Sequence, residues 1–157
     1  MSVVNNVTRL LDGKKIKYEI FDLPVEKLGA IETAELLNLP IEIVFKTIVI
    51  TRAPKKPLLC VIPGNGEVDL KAVATACGEK KVHLPTQNEA EALTGLQAGG
   101  ISPLALINKD FTVFLDESAR KLDEIHISGG QRGLNIKLPV NDLVSITNAR
   151  FAKIVTQ

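Results

Sequence analysis

No apolar run in this sequence approaches the roughly 20 residues that cross a bilayer. The run Ile48, Val49, Ile50 is closed at once by Thr51 and Arg52, and no segment is expected to span a membrane. The N-terminus, from Met1 to Lys15, lacks an uninterrupted apolar stretch followed by small residues. It does not have the form of a secretory signal, so a cytoplasmic address is the expectation. Cysteine is scarce: Cys60 and Cys77 stand in apolar surroundings with no CxxC or Cys/His spacing. That argues against a disulfide framework or a bound metal, and for two small buried side chains. The two histidines, His83 and His126, stand apart, each beside valine or isoleucine in a strand-like run. Neither has the surroundings of a ligand or a catalytic base.

A basic excess is missing too. Nineteen Lys and Arg face 18 Asp and Glu, a formal net charge of +1, whereas a grip on long nucleic acid through many phosphates calls for a strong positive surplus. Binding along DNA is therefore not expected. A nucleic acid touched only at one end is compatible, with Lys14, Lys15 and Lys17 or Lys55 and Lys56 as local patches, although the same clusters read equally as solvated faces. There is no GxGxxG and no GKS or GKT, so a nucleotide-binding fold has no support. Nor is there a GxSxG elbow or a paired Cys and His to supply a protein nucleophile.

What is present suits one ordinary domain covering residues 1–157. At 45% hydrophobic and 24% charged residues, the chain has the balance of a globular protein able to bury a core unaided. Val4, Val7, Leu10 and Leu11 recur at helical spacing up to Gly13, and Ile16, Tyr18 and Ile20 alternate as a strand. A helix over Ala30 to Leu37 ends before Pro40, and strands follow at Ile43 to Thr51 and Leu58 to Ile62. Asp69 is placed to cap a helix running to Ala76 and stopped by Gly78. Val82 to Leu84 reads as a short strand, Thr86 to Leu93 as a helix, and Gly95 to Pro103 as a glycine-rich loop. Strands are expected at Phe111 to Leu115, Glu124 to Ser128 and Leu134 to Leu138. A closing helix capped by Asn141 should run through Ile146, and Phe151 to Val155 reads as a last strand or a tail. Several strands are joined by turns too short for a crossover helix, which favours an α+β class with a mixed sheet.

Within the strand Ile43 to Ile50, Lys46 shares a face with Val44, Ile48 and Ile50, while Thr47 shares the other with Phe45 and Val49. An ammonium on an apolar face must find a partner or a cavity, because leaving it buried and unpaired costs several kcal/mol, on the order of 3 to 5. The equal alternative is a lysine that snorkels to water from near the strand end. Two glycine pairs also stand out: Gly99 and Gly100 before Ile101 and Ser102, and Gly129 and Gly130 before Gln131, Arg132 and Gly133. Such pairs let backbone N–H groups converge on a carbonyl or carboxylate. A hairpin between Ile127 and Leu134 accounts for the second pair equally well.

Taken in order, Val44-Phe45-Lys46-Thr47, Pro63 with Gly66, Val68, Asp69 and Leu70, Gly99-Gly100-Ile101-Ser102-Pro103-Leu104, and Ser128 to Leu134 resemble the signature segments of the YbaK/ProX/EbsC family of aminoacyl-tRNA deacylases. The resemblance runs from about Leu10 to Phe151. It implies a single α+β domain whose mixed, mostly antiparallel sheet curls into a partial barrel with flanking helices. It also implies trans-editing hydrolysis of misacylated tRNA, most directly Cys-tRNA(Pro) and also Cys-tRNA(Cys). By the same resemblance Lys46 is the catalytic residue, and Thr47, Gly99, Gly100, Ile101, Ser102, Ser128, Gly129, Gly130, Arg132 and Asn135 bind substrate. Backbone N–H groups of the Gly99 and Gly129 loops would stabilise an oxyanion. Arg132 equally suits a structural tie from its loop to a carbonyl. No metal and no cofactor is implied. The partners are the acceptor end of aminoacyl-tRNA and, as a candidate, prolyl-tRNA synthetase. Members of the Cys-tRNA type commonly carry tyrosine where this chain has Leu23 and aspartate where it has Asn135. These departures leave open an Ala-tRNA(Pro) deacylase of the ProX type, or a catalytically weak aminoacyl-tRNA binding module.

Overall fold

The computed structural model describes residues 5–156. Its elements run α1 (Asn6–Gly13), β1 (Glu19–Asp22), α2 (Ala30–Leu37), β2 (Phe45–Arg52), β3 (Lys55–Pro63), α3 (Leu70–Cys77), α4 (Gln87–Thr94), β4 (Thr112–Asp116), β5 (Glu124–Ser128), β6 (Leu134–Pro139), α5 (Val140–Thr147) and β7 (Arg150–Ala152). Short 3-10 turns fill in at Ile41–Ile43, Pro103–Lys109 and Glu117–Lys121.

The strands form two sheets. One has three strands in the order β1-β6-β5, all antiparallel; the other has four in the order β2-β3-β4-β7, antiparallel at β2-β3 and parallel beyond. A parallel bridge between Val44 and His126 joins the start of β2 to β5. The two sheets thus continue into one another, giving the expected mixed sheet curled into a partial barrel.

Burial explains why these segments are strands. Leu58 through Ile62 in β3 are all buried, the signature of a strand covered on both faces. Leu59 and Val61 face the barrel interior with Phe45, Val49, Val113, Leu115, Ile125, Ile127, Ile136 and Leu138. Leu58, Cys60 and Ile62 face outward, where α3 covers them with Val73 and Ala74. Each such side chain contributes about 1.5 to 3 kcal/mol over its exposed state. Because both faces of β3 are apolar, hydrophobic pattern alone does not choose its register. The tight hairpin pairs Arg52 with Lys55, and a bulge between Ile50 and Arg52 shifts the pairing by one residue into the ladder that runs from Ile50 opposite Leu58 to Phe45 opposite Pro63.

Local chemistry sets the helix ends. The Asn5 side chain accepts from the Thr8 backbone N–H at 2.9 Å, Asp69 accepts from Ala72 at 3.1 Å, and Thr86 and Glu89 form a reciprocal capping box. Left-handed residues Asn38, Gly78, Gly95 and Asn148 end α2, α3, α4 and α5.

Four expectations shift. Val4 lies outside the described residues, so α1 is seen only from Asn6. The alternation of Ile16, Tyr18 and Ile20 overstates β1, which begins at Glu19 where pairing to Lys137 starts. Val82 to Leu84 makes only a bridge between His83 and Thr51. Asn141 is not a cap: α5 begins at Val140 behind Pro139, whose fixed φ of -63° already sets the entry.

Gly64 shows how tightly β3 ends. A Cβ there would stand 2.5 Å from Ala30 Cβ and 2.9 Å from the Val44 carbonyl oxygen, while its N–H donates to that same carbonyl at 2.8 Å. Gly64→Ala is expected to destabilise the fold by about 1 to 3 kcal/mol through overpacking, read as a lower denaturant midpoint with an unchanged slope.

Candidate active site

A cavity of about 230 Å³ opens at the seam between the two sheets. The start of β2 supplies Val44, Phe45, Lys46 and Thr47, and the chain before and into α2 supplies Leu23, Glu26, Leu28, Gly29, Ala30 and Thr33. The loop after α4 adds Ala98, Gly99 and Ile101, and the β5-β6 hairpin adds Ser128, Gly133, Leu134 and Asn135. This volume falls below the ~300 to 1,000 Å³ of pockets for drug-sized ligands. It suits an amino acid, not a whole nucleotide.

Lys46 is half-buried as the second residue of β2, opposite Ile62 on β3. Burial pushes its ammonium below the ordinary lysine range, and the nearby Glu67 carboxylate partly offsets that. Among the described residues no ion pair or hydrogen bond engages its Nζ; the ion pairs present belong to Lys55, Lys56 and Lys137. A partly desolvated cation thus faces the cavity without a fixed partner. Thr47 lines the same cavity although it belongs to the opposite strand face.

The two glycine runs meet. A Cβ on Gly100 would stand 2.9 Å from Gln131 Cα and 3.1 Å from the Arg132 nitrogen, so the two loops touch backbone to backbone only because residue 100 lacks a side chain. Arg132 donates from Nε to the Ala98 carbonyl at 2.7 Å, tying its loop to the other. The arginine is the structural tie, and it does not line the cavity. Gly100, Ser102, Gly129 and Gly130 do not line it either. Ser102 is fully buried and caps the following turn, accepting from the Leu104 N–H at 3.2 Å. The Gly129 N–H is spent on the Leu134 carbonyl at 2.8 Å inside the β5-β6 hairpin. At Gly130, with φ +92°, a Cβ would meet Val7 Cγ2 at 2.9 Å. These residues build the wall from behind, and the Gly129 N–H is not free for an oxyanion. Gly99, with φ +90°, does face the cavity.

Sequence reasoning passed over two features. Glu26 lines the cavity from a loop that carries no motif. His126 is not isolated: its Nδ1 lies 2.9 Å from Oδ1 of Asn135, a cavity-lining residue, and both side chains are buried. No signal in the sequence pairs them: only in the β5-β6 register do His126 and Asn135 lie diagonally on one face. Among the described residues no three His, Cys, Asp or Glu side chains are grouped to hold a metal, and no helix is long and apolar enough to cross a membrane. Cys60 is buried with its thiol pushed up to about 12 by desolvation, and Cys77 is half-buried.

Residues 26–146 match the family model of the aminoacyl-tRNA editing domain. A protein of Enterococcus faecalis, EbsC, named for Cys-tRNA(Pro)/Cys-tRNA(Cys) deacylation, is 36% identical over 154 residues, covering 97% of this chain and 93% of its own length. Two crystal structures share the fold. The hypothetical protein APE2540 has a TM-score of 0.88 at 21% identity, covering 97% of this chain and 100% of its own. A protein described as a trans-editing enzyme for prolyl tRNA synthetase has a TM-score of 0.81 at 21% identity, covering 99% of this chain and 100% of its own. The chain belongs to the aminoacyl-tRNA editing domain family and to its class of aminoacyl-tRNA deacylases.

The position of Lys46 carries a cost in stability. Its folded-state pKa lies below the unfolded value of 10.5, so folding is penalised while both states are protonated and the penalty fades as pH rises toward and past 10.5. Lys46→Met should be at least as stable as the parent at pH 7, and its advantage should narrow in alkali. Denaturant titrations at pH 7 and pH 10 measure this; a difference that widens with pH contradicts it.

Proposed function

We propose that this chain hydrolyses Cys-tRNA(Pro), and Cys-tRNA(Cys) as a second substrate, acting in trans in the cytoplasm on the acceptor end of the tRNA. The observation that carries the reading is the unpartnered Lys46 ammonium in a cavity sized for one amino acid. The likeness to EbsC over nearly the whole chain supports the choice of cysteine. The need for such an enzyme is physical. A pocket built for proline rejects a ligand of equal or smaller size by only about 1 to 3 kcal/mol, so errors require a second site.

Lys46 sets its charge against the ester carbonyl or the phosphate of the terminal nucleotide, in the place where negative charge develops. From the Gly99 loop the N–H groups of Gly99 and Ile101 are left to help, those of Ala98 and Gly100 being spent on the Glu91 carboxylate and the Gln97 carbonyl. Among the described residues no histidine or cysteine lines the cavity, and the Thr47 and Ser128 hydroxyls that do line it have no histidine base beside them there; the nucleophile is water or the thiol of the substrate itself. On the thiol route a C–S bond forms as the ester C–O bond breaks, the ribose oxygen takes the proton, and water then opens the cyclic thioester. Catalysis is then assisted by the substrate, which selects cysteine without a protein base. The small charge of the chain leaves recognition of the tRNA body to a partner, and prolyl-tRNA synthetase is the candidate.

Incubation of the purified protein with Cys-tRNA(Pro), Cys-tRNA(Cys), Ala-tRNA(Pro) and Pro-tRNA(Pro) tests substrate and class together. Release of cysteine and retention of proline is the expected result. Release of alanine alone assigns the ProX type, and release of neither leaves a binding module. Lys46→Ala should lower the rate of cysteine release by at least about 100-fold, the scale of losing one oxyanion-stabilising group, with an unchanged circular dichroism spectrum. An active Lys46→Ala enzyme would refute the role.

A further inference from the structure

His126 and Asn135 form one unit on the outer face of the three-stranded sheet. His126 is 1% exposed and Asn135 4%. The imidazole Nδ1 stands 2.9 Å from the Asn135 amide oxygen, and the Phe21 ring packs on the imidazole with centroids 5.0 Å apart. A neutral imidazole carries one N–H, and a hydrogen bond from Nδ1 to a carbonyl oxygen requires the proton to sit there. That bond occupies the amide oxygen and leaves the amide NH2 over. No hydrogen bond among the described residues takes up this NH2, yet none of their fully buried side-chain nitrogens or oxygens lacks a partner. The NH2 therefore opens onto the cavity that Asn135 lines.

We propose that His126 is a positioning residue of the editing site: by donating from Nδ1 to Asn135 Oδ1, it turns the Asn135 amide N–H groups into the cavity, where they donate to an oxygen of the aminoacyl ester. The inference rests on the deacylase reading and deepens it. An unrestrained asparagine presents either its oxygen or its NH2, and a carboxylate at this position presents only acceptors. The fixed donor favours the carbonyl oxygen on this wall and disfavours the α-ammonium, for which Glu26 is the carboxylate lining the cavity. Burial keeps His126 below its ordinary range and so neutral; Lys137 acts in the same direction, while the Asn135 bond, Glu19 and Glu124 oppose.

Long-range ¹⁵N–¹H correlation on the full chain at pH 7 reads the ring directly. A neutral ring protonated on Nδ1 supports the proposal; a ring protonated on Nε2 alone, or a charged ring, overturns it. Kinetics with Cys-tRNA(Pro) read its consequence. His126→Leu should lose about tenfold in kcat/KM, borne mainly by kcat, and His126→Asn, which keeps an N–H donor near the position of Nδ1, should recover most of it. In an Asn135→Ala background His126→Leu should cost nothing further; an additive loss overturns the positioning role. Where His126→Leu fails to fold, His126→Asn and the ring spectrum decide. Inactivity of the parent on every aminoacyl-tRNA sinks the deacylase reading instead, an outcome separate from an active parent whose two substitutions add.

Discussion

A lysine ammonium cannot be sealed among aliphatic side chains without a partner, and the shape of this molecule follows from respecting that at residue 46. Beyond it the strand runs through Ile48, Val49 and Ile50, which pack into the apolar clusters on its two faces, so closing the sheets over its start would bury the charge. The seam stays open there. The β2 strand meets β5 by a single bridge at Val44, not by a continued ladder, and the gap beyond that bridge is the recess. The one charged side chain inside the strand thus stands where the two sheets part.

The walls of the recess depend on close backbone approach. The Gln97–Ile101 segment and the β5-β6 turn lie against each other because Gly100 has no side chain, and the Arg132 guanidinium holds the contact by reaching the Ala98 carbonyl. Only Gly99 of the first pair then faces inward. The loops meet as one rim beside the cavity, held by backbone contact and by the arginine.

Much of this was legible in residue order. The period of two in β2 placed Lys46 and Thr47 on opposite faces, the apolar run Leu58 to Ile62 marked a strand, and Asp69 with Gly78 bounded α3 as capping chemistry requires. Of the expected site residues, the fold gathers Lys46, Thr47, Gly99, Ile101, Ser128 and Asn135 around one cavity. What periodicity does not carry is which glycines face a cavity and which face another loop. Gly100 and Gly129 sit beside lining residues, yet their space is taken by Gln131 and by Leu134. Nor does a single sequence reveal a diagonal cross-strand pair, so His126 reads as a solitary core residue until β5 and β6 are set in register.

The last described residues do structural work some distance from where they stand in the chain. Val155 bridges Val68, the Thr156 N–H donates to the Glu67 carbonyl at 2.9 Å, and the Asp69 N–H donates to Ile154. Buried Asp116 fastens the same stretch by accepting from Ile154. The backbone of Glu67, whose carboxylate is the charge felt by Lys46, is therefore pinned by the tail. Losing that tail would unpin the backbone beside the charge and, with Ile154 gone from the apolar layer outside β3, thin the packing there as well.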